Sequence, residues 1–272
     1  MAESMRGSVL SLRAVYRLVG RSYYPGESPH VASAAGAGAA SGRLRHFWQQ
    51  FWVAMRPSTN VYIDGFNLYY GLKKRGERAG RRSTPHRWLN VGKLAQFLLP
   101  DSEINAIHYF TAMVKDRGDD PQRISRQQIY LRALRTIPNL TIHLGNYQET
   151  AVWRPLATPP RRGSRFVRVL WSEEKGSDVN LATQLLVDTF ELQAERAAVI
   201  SNDSDLAAPI SVGAGRLTRG VVVFNPHPGA AARKLKQVAT EYRPIKDRVL
   251  VATEFPDELR DARGVFAKPP GW

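Results

Sequence analysis

Short, continuous apolar runs alternate with amphipathic stretches through most of this chain, and this alternation constrains the fold more than any other feature. The apolar runs predict buried strands, and the stretches between them predict helices. Parallel strands joined by helices need both faces of their sheet covered. The sequence therefore predicts an α/β domain, a three-layer sandwich with a mainly parallel central sheet.

The predicted strands are Val61–Ile63, Ile104–Val114, Leu140–Leu144, Phe166–Trp171, Ala198–Ser201 and Gly220–Phe224. The predicted helices are Asn67–Lys74, Trp88–Leu99, Pro121–Leu134 and Ser177–Phe190.

Three short segments place acidic residues at the ends of predicted strands and at the start of a predicted helix. Such a fold brings these positions together at one edge of the sheet. Asp64 and Asp203 follow predicted strands, and Asp178 lies in the first turn of a predicted helix for which Ser177 is the expected N-cap. Ligands of parallel sheets bind beyond the carboxyl ends of the strands, so we expect these carboxylates to converge. Asp205 either adds a fourth carboxylate or caps the following helix.

Crowded carboxylates repel one another unless a cation shares them. A hard divalent ion such as Mg²⁺ or Mn²⁺ is the usual partner, and it commonly acts on phosphates. Each aspartate alone also has a structural explanation, as a turn residue or a helix cap. Their combination is what indicates a metal site.

The balance of 39 Lys and Arg against 24 Asp and Glu favours a polyanionic partner, nucleic acid or an anionic membrane surface. An Arg-rich composition without such a partner is the alternative. The loop 155–163 is rich in Pro and Arg, and we expect it to face a substrate. The candidate substrate contacts are Lys175, Ser177, Arg161, Arg162 and Arg165. Arginines of the helix 121–134 either follow a phosphate backbone or form a solvated face.

Cysteine is absent, which excludes disulfides and thiolate zinc sites. No apolar run approaches the roughly 18 residues needed to cross a bilayer, so we expect a soluble, cytoplasmic protein. The oligomeric state stays open, with a homo-oligomer as one option.

Residues 1–59 are expected to form a flexible, basic extension, because they contain a long tract of small residues and few acids. Three explanations remain: an organelle transit peptide, an interfacial or partner-binding helix at 45–55, and translation that begins at Met55. The main domain is expected over 60–250, with a tail over 251–272 that packs on it.

Segments 62–68, 175–180 and 201–206 resemble, in order and spacing, the signature segments of the NYN domain. This family belongs to the PIN-like nuclease superfamily, and the best match is a bacterial branch long catalogued as a domain of unknown function. Segments 109–112, 126–134 and 268–272 also resemble that branch. Many NYN domains carry a further acid on the helix after Asp178, where this chain has Gln184.

The resemblance implies a PIN-like fold and a metal-dependent ribonuclease, expected to be an endoribonuclease, that hydrolyses RNA phosphodiester bonds with Mg²⁺ or Mn²⁺. It implies that Asp64, Asp178 and Asp203 bind the metal, with Asp205 as a fourth ligand. Asn67 would orient metal, water or phosphate. The alternative is a non-catalytic, RNA-binding regulatory module with the same fold.

Several polar and aromatic residues near these segments have open roles. His108 and His143 lie inside predicted strands and are interpreted as structural, and His227 follows the last predicted strand without an assigned role. Tyr69 and Tyr70 could stack on bases or belong to the core.

Overall fold

A computed structural model describes residues 56–80, 84–115, 120–229 and 231–272, all within the compact unit Met55–Trp272. The predictions for residues 1–55 lie outside the described residues. The strands are β1 Ser58–Asp64, β2 Glu103–Ala112, β3 Leu140–Pro155, β4 Phe166–Lys175, β5 Arg196–Ile200, β6 Val221–Asn225, β7 Glu241–Pro244, β8 Glu258–Asp261 and β9 Gly264–Ala267. The helices are α1 Gly65–Arg78, α2 Val91–Leu98, α3 Arg123–Leu134, α4 Ser177–Phe190, α5 Ala207–Arg216, α6 Arg233–Val238 and α7 Asp247–Ala252.

Seven strands form one sheet in the order β4-β3-β2-β1-β5-β6-β7, and β8 and β9 form a separate hairpin. All neighbours in the large sheet are parallel except β3 and β4. The chain proceeds from β1 through β2 to β3 on one side, and β5, β6 and β7 continue on the other. The strand order therefore reverses at β1, which is where ligand sites of such sheets lie.

Alternate residues of β1 face two separate cores. Val61 and Ile63 pack in one core with apolar residues of α1, α2 and α3, while Tyr62 packs in the other with α4 and α5. Leu185 of α4 is fully buried, so truncating such a leucine to alanine would cost about 2–5 kcal/mol. Helices on both faces confirm the predicted three-layer, mainly parallel α/β fold.

The β3–β4 hairpin is longer than predicted. Strand β3 continues past Leu144 to Pro155, because its outer half leaves the parallel pairing with β2 at Gly145 and pairs antiparallel with β4. This outer half is mostly exposed, and so it lacks the apolar pattern from which strands are predicted. The Pro- and Arg-rich segment accordingly forms the turn that connects the two strands.

Two helix starts differ from the prediction because polar side chains cap them. Helix α1 begins at Gly65, directly after Asp64, and α2 begins at Val91, after Asn90 accepts a hydrogen bond from the Lys93 amide at 2.9 Å. Short elements beyond Asn225, from α6 to β9, were not predicted, since runs of four to six residues have little periodicity.

Residues of the C-terminal tail contact the buried Trp88. The ring of Phe255 lies 5.5 Å and that of Trp272 lies 6.5 Å from the Trp88 ring, and the Trp88 indole donates to the Pro256 carbonyl at 2.7 Å. The Arg132 guanidinium binds Asp261 through two hydrogen bonds of 2.8 and 2.7 Å. Arg132 therefore holds the β8–β9 hairpin and is not part of a solvated basic face.

Candidate active site

Asp64 lies at the carboxyl end of the central strand, where only 4% of the residue is exposed. Its Oδ1 accepts from the Asn67 amide at 2.9 Å, which caps α1, and its Oδ2 accepts from the Ser201 hydroxyl at 2.9 Å. The Ser201 oxygen also accepts from the Asp203 amide at 3.0 Å. Ser201 thus connects the ends of β1 and β5, a role that sequence analysis missed although Ser201 lies inside a signature segment.

Asp203 caps the short 3₁₀ turn Ser204–Leu206, because its Oδ1 accepts from the Asp205 amide at 3.0 Å. Asp205 is exposed in that turn, and α5 begins after Leu206 without a side-chain cap. The alternative in which Asp205 caps the following helix is therefore wrong. The side-chain cap in this region is that of Asp203 on the 3₁₀ turn before α5.

Helix α4 has the predicted bounds, but its N-cap differs from the prediction. The N-cap is Gly176, whose φ of 101° suits glycine, and Ser177 is the first helical residue. The Ser177 amide and hydroxyl both donate to Glu174 Oε1, at 3.0 and 2.7 Å. The N-cap prediction for Ser177 is wrong, because the Glu174 carboxylate at the end of β4 takes the place of a capping side chain.

Asp178 and Lys175 lie at the surface on either side of this helix start. Asp178 is exposed in the first turn of α4, and Lys175 forms an exposed ion pair of 3.8 Å with Glu173. Ser177 is buried and its hydroxyl is engaged by Glu174. Of the two residues predicted to contact substrate here, Lys175 is thus the more accessible.

The electrostatics show that the aspartates share one environment. Burial, together with the charges of Asp178 and Asp203, raises the pKa of Asp64 to about 7, against the lowering effect of its two hydrogen bonds. Partial burial of its carboxylate, followed by the charges of Asp203, Glu174 and Asp205, raises the pKa of Asp178. Asp64, Asp178 and Asp203 therefore lie within electrostatic range of one another, and Asp205 lies within range of Asp178, at the cost of mutual repulsion.

The donor set fits a hard divalent cation. Among the residues that the structure describes, no group of three or more His, Asp or Glu side chains is arranged to hold a metal ion. The donors are nevertheless carboxylate oxygens, and a cation would offset both the burial and the repulsion that raise the pKa values of Asp64 and Asp178. Asp178 and Asp205 are exposed, so their side chains have room to change rotamer, whereas Asp64 is held by its two hydrogen bonds.

Asn67 is held by two neighbours that sequence analysis did not connect with it. Its Oδ1 accepts from the Asn202 amide at 2.9 Å and lies 3.0 Å from His227 Nε2. Burial, followed by the charge of Lys74, lowers the pKa of His227, so the neutral ring donates from Nε2. His227 follows β6 at the same edge of the sheet, and this position in the sequence could have indicated that it lies close to Asn67.

The three candidate arginines of the hairpin turn, Arg161, Arg162 and Arg165, are exposed and far from the carboxylates. Strand β4 separates them from Lys175 by nine residues, about 30 Å in an extended strand. Beside them the Arg154 guanidinium lies 4.6 Å above the Trp171 ring, and Trp153 is 65% exposed. The hairpin therefore presents a basic, aromatic surface away from the acidic edge.

Comparison with known proteins agrees with the resemblance. The NYN domain family matches residues 58–246. Over 180 residues the chain is 32% identical to 6-hydroxy-3-succinoylpyridine 3-monooxygenase HspA of Pseudomonas putida, covering 57% of this chain and 54% of that protein. The chain thus spans about half the length of this curated relative. A crystal structure of a protein of unknown function from Vibrio parahaemolyticus aligns with a TM-score of 0.43 and 15% identity, over 71% of this chain and 94% of that one.

Proposed function

We propose that this chain, which belongs to the NYN domain family, is a metal-dependent endoribonuclease that hydrolyses RNA phosphodiester bonds. The family points to a nuclease-type hydrolase, and NYN domains in general bind RNA. The observation that carries the proposal is the electrostatic coupling of Asp64, Asp178 and Asp203, which come from three distant segments. Repulsion between these carboxylates destabilises the folded state unless a bound cation neutralises it.

The proposed centre consists of Asp64, Asp178 and Asp203 as ligands of Mg²⁺ or Mn²⁺, with Asp205 as a fourth. When bound, such an ion lowers the pKa of its water and neutralises phosphoryl oxygens. Asp64 is the rigid member, because both of its oxygens accept hydrogen bonds and the residue is buried. Asp203 is oriented by the turn that it caps, while the exposed Asp178 adjusts to the substrate.

Asn67 has a defined orientation that suits phosphate or water better than the metal. Its oxygen is directed at Asn202 and His227, so its amide group is the part that can donate to a phosphate oxygen or an attacking water. His227 and Asn202 would then act as positioning residues.

RNA beyond the cleavage position would follow the β3–β4 hairpin. Exposed tryptophans accept stacked bases, and arginines bind phosphates with strong salt dependence. Lys175 lies between this surface and Asp178. The hairpin arginines are proposed to bind RNA at a distance from the reacting phosphate.

A second candidate function comes from the curated relative, whose name describes a monooxygenase acting on a substituted pyridine. Under this candidate the chain would oxidise a small aromatic acid. Oxygen consumption that requires both such an acid and an electron donor, in the absence of RNA cleavage, would favour it. The RNA-binding module without catalysis is the remaining alternative, and crowded acids speak against it because they repel a polyanion.

The proposal is tested with purified protein and a mixed set of labelled RNAs, in Mn²⁺, in Mg²⁺ and in chelator. We expect cleavage with metal and none with chelator, and loss of cleavage in both Asp64→Asn and Asp203→Asn. Mn²⁺ should also raise the unfolding temperature of the wild type and not that of Asp203→Asn. Binding of RNA without cleavage in every condition would indicate the regulatory module instead.

A further inference from the structure

Three buried side-chain polar atoms have no hydrogen-bond partner in the described part of the chain. They are Nε of Arg87, Oγ of Ser172 and Nε1 of Trp272. Buried polar atoms are nearly always paired, since an unpaired one keeps the full cost of leaving water. All three residues line one cavity of about 520 Å³, although they come from segments far apart in sequence. Their common location calls for a single explanation.

The cavity adjoins the acidic edge. Gly65, which directly follows Asp64, lines it together with Tyr109. A Cβ atom at residue 65 would lie 2.7 Å from the Phe110 carbonyl oxygen and 2.8 Å from the Tyr109 hydroxyl, so only glycine lets α1 begin this close to β2. On the hairpin side the cavity is lined by Tyr147, which is the register partner of Glu174. The cavity is therefore connected with the acidic edge in two places, through Gly65 next to Asp64 and through Tyr147 opposite Glu174.

Aromatic rings form much of the cavity wall, and their contacts hold them in place. The Phe66 and Tyr147 rings meet edge to face at 6.3 Å, and the Tyr130 and Trp272 rings lie 5.7 Å apart. The Tyr130 hydroxyl donates to the Leu89 carbonyl at 2.9 Å. Tyr69 and Tyr70 also line the cavity, and their side chains remain partly exposed. Rings of this kind stack on nucleobases.

The charge of the lining is mainly positive. The charged residues are Lys73, Arg87, Lys115, Arg123, Arg126 and Asp120. At least three of the cations are engaged with acids. Arg126 pairs with Asp120, Lys115 with Glu149 and Lys73 with Glu77. Of the three unpartnered atoms, those of Arg87 and Trp272 can only donate hydrogen bonds. The matching ligand therefore has a planar ring, several hydrogen-bond acceptors and a negative charge.

Building on the ribonuclease function proposed above, we propose that this cavity holds one nucleotide of the RNA substrate beside the phosphate that is cleaved. The base lies among the aromatic rings, and its acceptor atoms or the adjoining phosphate receive hydrogen bonds from Arg87, Ser172 and Trp272. The volume falls within the range of about 300–1,000 Å³ that is usual for small-ligand sites. The cavity then gives the enzyme a preference for the nucleotide next to the cleaved bond.

The test is calorimetric titration of the full chain, in excess chelator, with the four ribonucleoside 5′-monophosphates. The corresponding nucleosides and pyridine-3-carboxylate are titrated in parallel. We expect saturable binding of at least one monophosphate, and weaker binding of its nucleoside. Ser172→Ala and Trp272→Phe should each weaken binding about three- to tenfold, and Arg87→Met about tenfold or more, because that bond is charge-assisted.

Arg219→Met is the matched control for the arginine variant. Arg219 is exposed and precedes β6, which lies on the other side of β1 from the cavity-lining strands β2 and β3, so its loss should leave monophosphate binding unchanged. Thermal unfolding establishes that each variant is folded. Trp272→Phe could disturb the packing of the tail. Ser172→Ala removes only one oxygen atom, so it tests the cavity without that disturbance.

Three outcomes would overturn the proposal: no monophosphate binding up to about 10 mM, binding that all three lining variants leave unchanged, or saturable binding of pyridine-3-carboxylate alone. The last would identify a site for small aromatic acids. Because titration in chelator requires neither metal nor cleavage, the two proposals fail separately. Cleavage without monophosphate binding overturns the cavity proposal only. Monophosphate binding without cleavage overturns the ribonuclease, and with it the position beside a cleaved phosphate, but leaves the cavity as a nucleotide site.

Discussion

Two buried aspartates of this protein have opposite environments. Asp64 and Asp188 are each less than 10% exposed. Burial and neighbouring carboxylates raise the pKa of Asp64 to about 7. Burial would also raise the pKa of Asp188, but hydrogen bonds from His108, Tyr62 and Gln184 outweigh it and lower that pKa. Burial alone therefore does not mark a functional acid; what matters is whether the neighbours satisfy its charge.

The Asp188 network is built from residues of one helix, α4, and of two strands of the sheet, β1 and β2. Tyr62 and Asn60 of β1 donate to Asp188 Oδ2 at 2.6 and 3.1 Å, and Gln184, one helical turn earlier, donates to Oδ1 at 2.7 Å. His108 Nε2 lies 3.4 Å from Oδ2. Asp178 and Asp188 lie on the same helix, about 15 Å apart along its axis. One end of α4 is thus crowded with like charge, and the other is fully paired.

The largest expected difference between the two regions is in catalysis. Asp203→Asn should lower metal-dependent RNA cleavage about 100-fold or more, because under the proposed function it removes a charged metal ligand. Asp188→Asn, the same chemical change in the other region, should retain activity within about threefold once corrected for the folded fraction. Initial rates of cleavage of one labelled RNA measure both. Equal losses of activity in the two variants would contradict the assignment of Asp203 to the active site and of Asp188 to a structural network.

In the absence of metal, the variant in the Asp188 network should lose more stability than the variant at the acidic edge. Asp188→Asn should lower the free energy of unfolding by about 3 kcal/mol, because an amide cannot accept from Tyr62, Asn60 and Gln184 together. Asp64→Asn should leave it unchanged or raise it, since repulsion is relieved while Ser201 can still bond the amide. Urea unfolding at neutral pH in chelator measures both. A loss above about 1 kcal/mol in Asp64→Asn would mean that this carboxylate mainly holds the loop.

The pH dependence of stability should have opposite signs in the two regions. The pKa of Asp64 rises on folding from 3.8 to about 7, so the folded state binds the extra proton, and stability falls as the pH rises through this interval. We expect a fall of about 2 kcal/mol, roughly half of what the full shift would give without relaxation. The pKa of Asp188 is lowered, so its contribution is complete above about pH 4 and is lost below it.

Unfolding curves of the wild type and both asparagine variants, recorded in chelator from pH 3 to 8, separate these contributions. The fall between about pH 4 and 7 should disappear in Asp64→Asn, and the loss below about pH 4 should become smaller in Asp188→Asn. Identical profiles in wild type and Asp64→Asn would contradict the raised pKa of Asp64.

The smallest expected effect concerns the acid that many NYN domains carry at the position of Gln184. Gln184→Glu should lower stability by about 1–2 kcal/mol, because it places a carboxylate where the Gln184 amide now donates to Asp188. Cleavage should be unaffected, since the side chain points into the Asp188 network. Thermal unfolding and the cleavage assay test this, with Gln184→Met as the control for lost hydrogen bonding without added charge. A gain in cleavage would place residue 184 in the catalytic site instead.

The parts of the fold and of the candidate site that depend on neighbouring residues could be predicted from the sequence. Continuous apolar runs such as Val61–Ile63 identify buried strands, and aspartates at their ends identify the edge where ligands bind. The outer half of β3 could not be predicted, because an exposed hairpin has no apolar face to leave a pattern. The cap of α4 was assigned to Ser177 because N-cap preferences are local, whereas the group that binds its amide is the Glu174 side chain, positioned by the hairpin.

The three-layer architecture and the expected convergence of Asp64, Asp178 and Asp203 could be predicted because strand periodicity and strand ends are properties of consecutive residues. Which buried charges are satisfied depends on contacts between distant segments. Asp188 is paired through Tyr62 and His108, more than 75 residues away in sequence, and no local pattern encodes such contacts. The same holds for the cavity beside Asp64, whose unpartnered polar atoms come from three separate segments. Packing between distant segments sets local dielectric and hydrogen bonding, and these give identical side chains different chemistry.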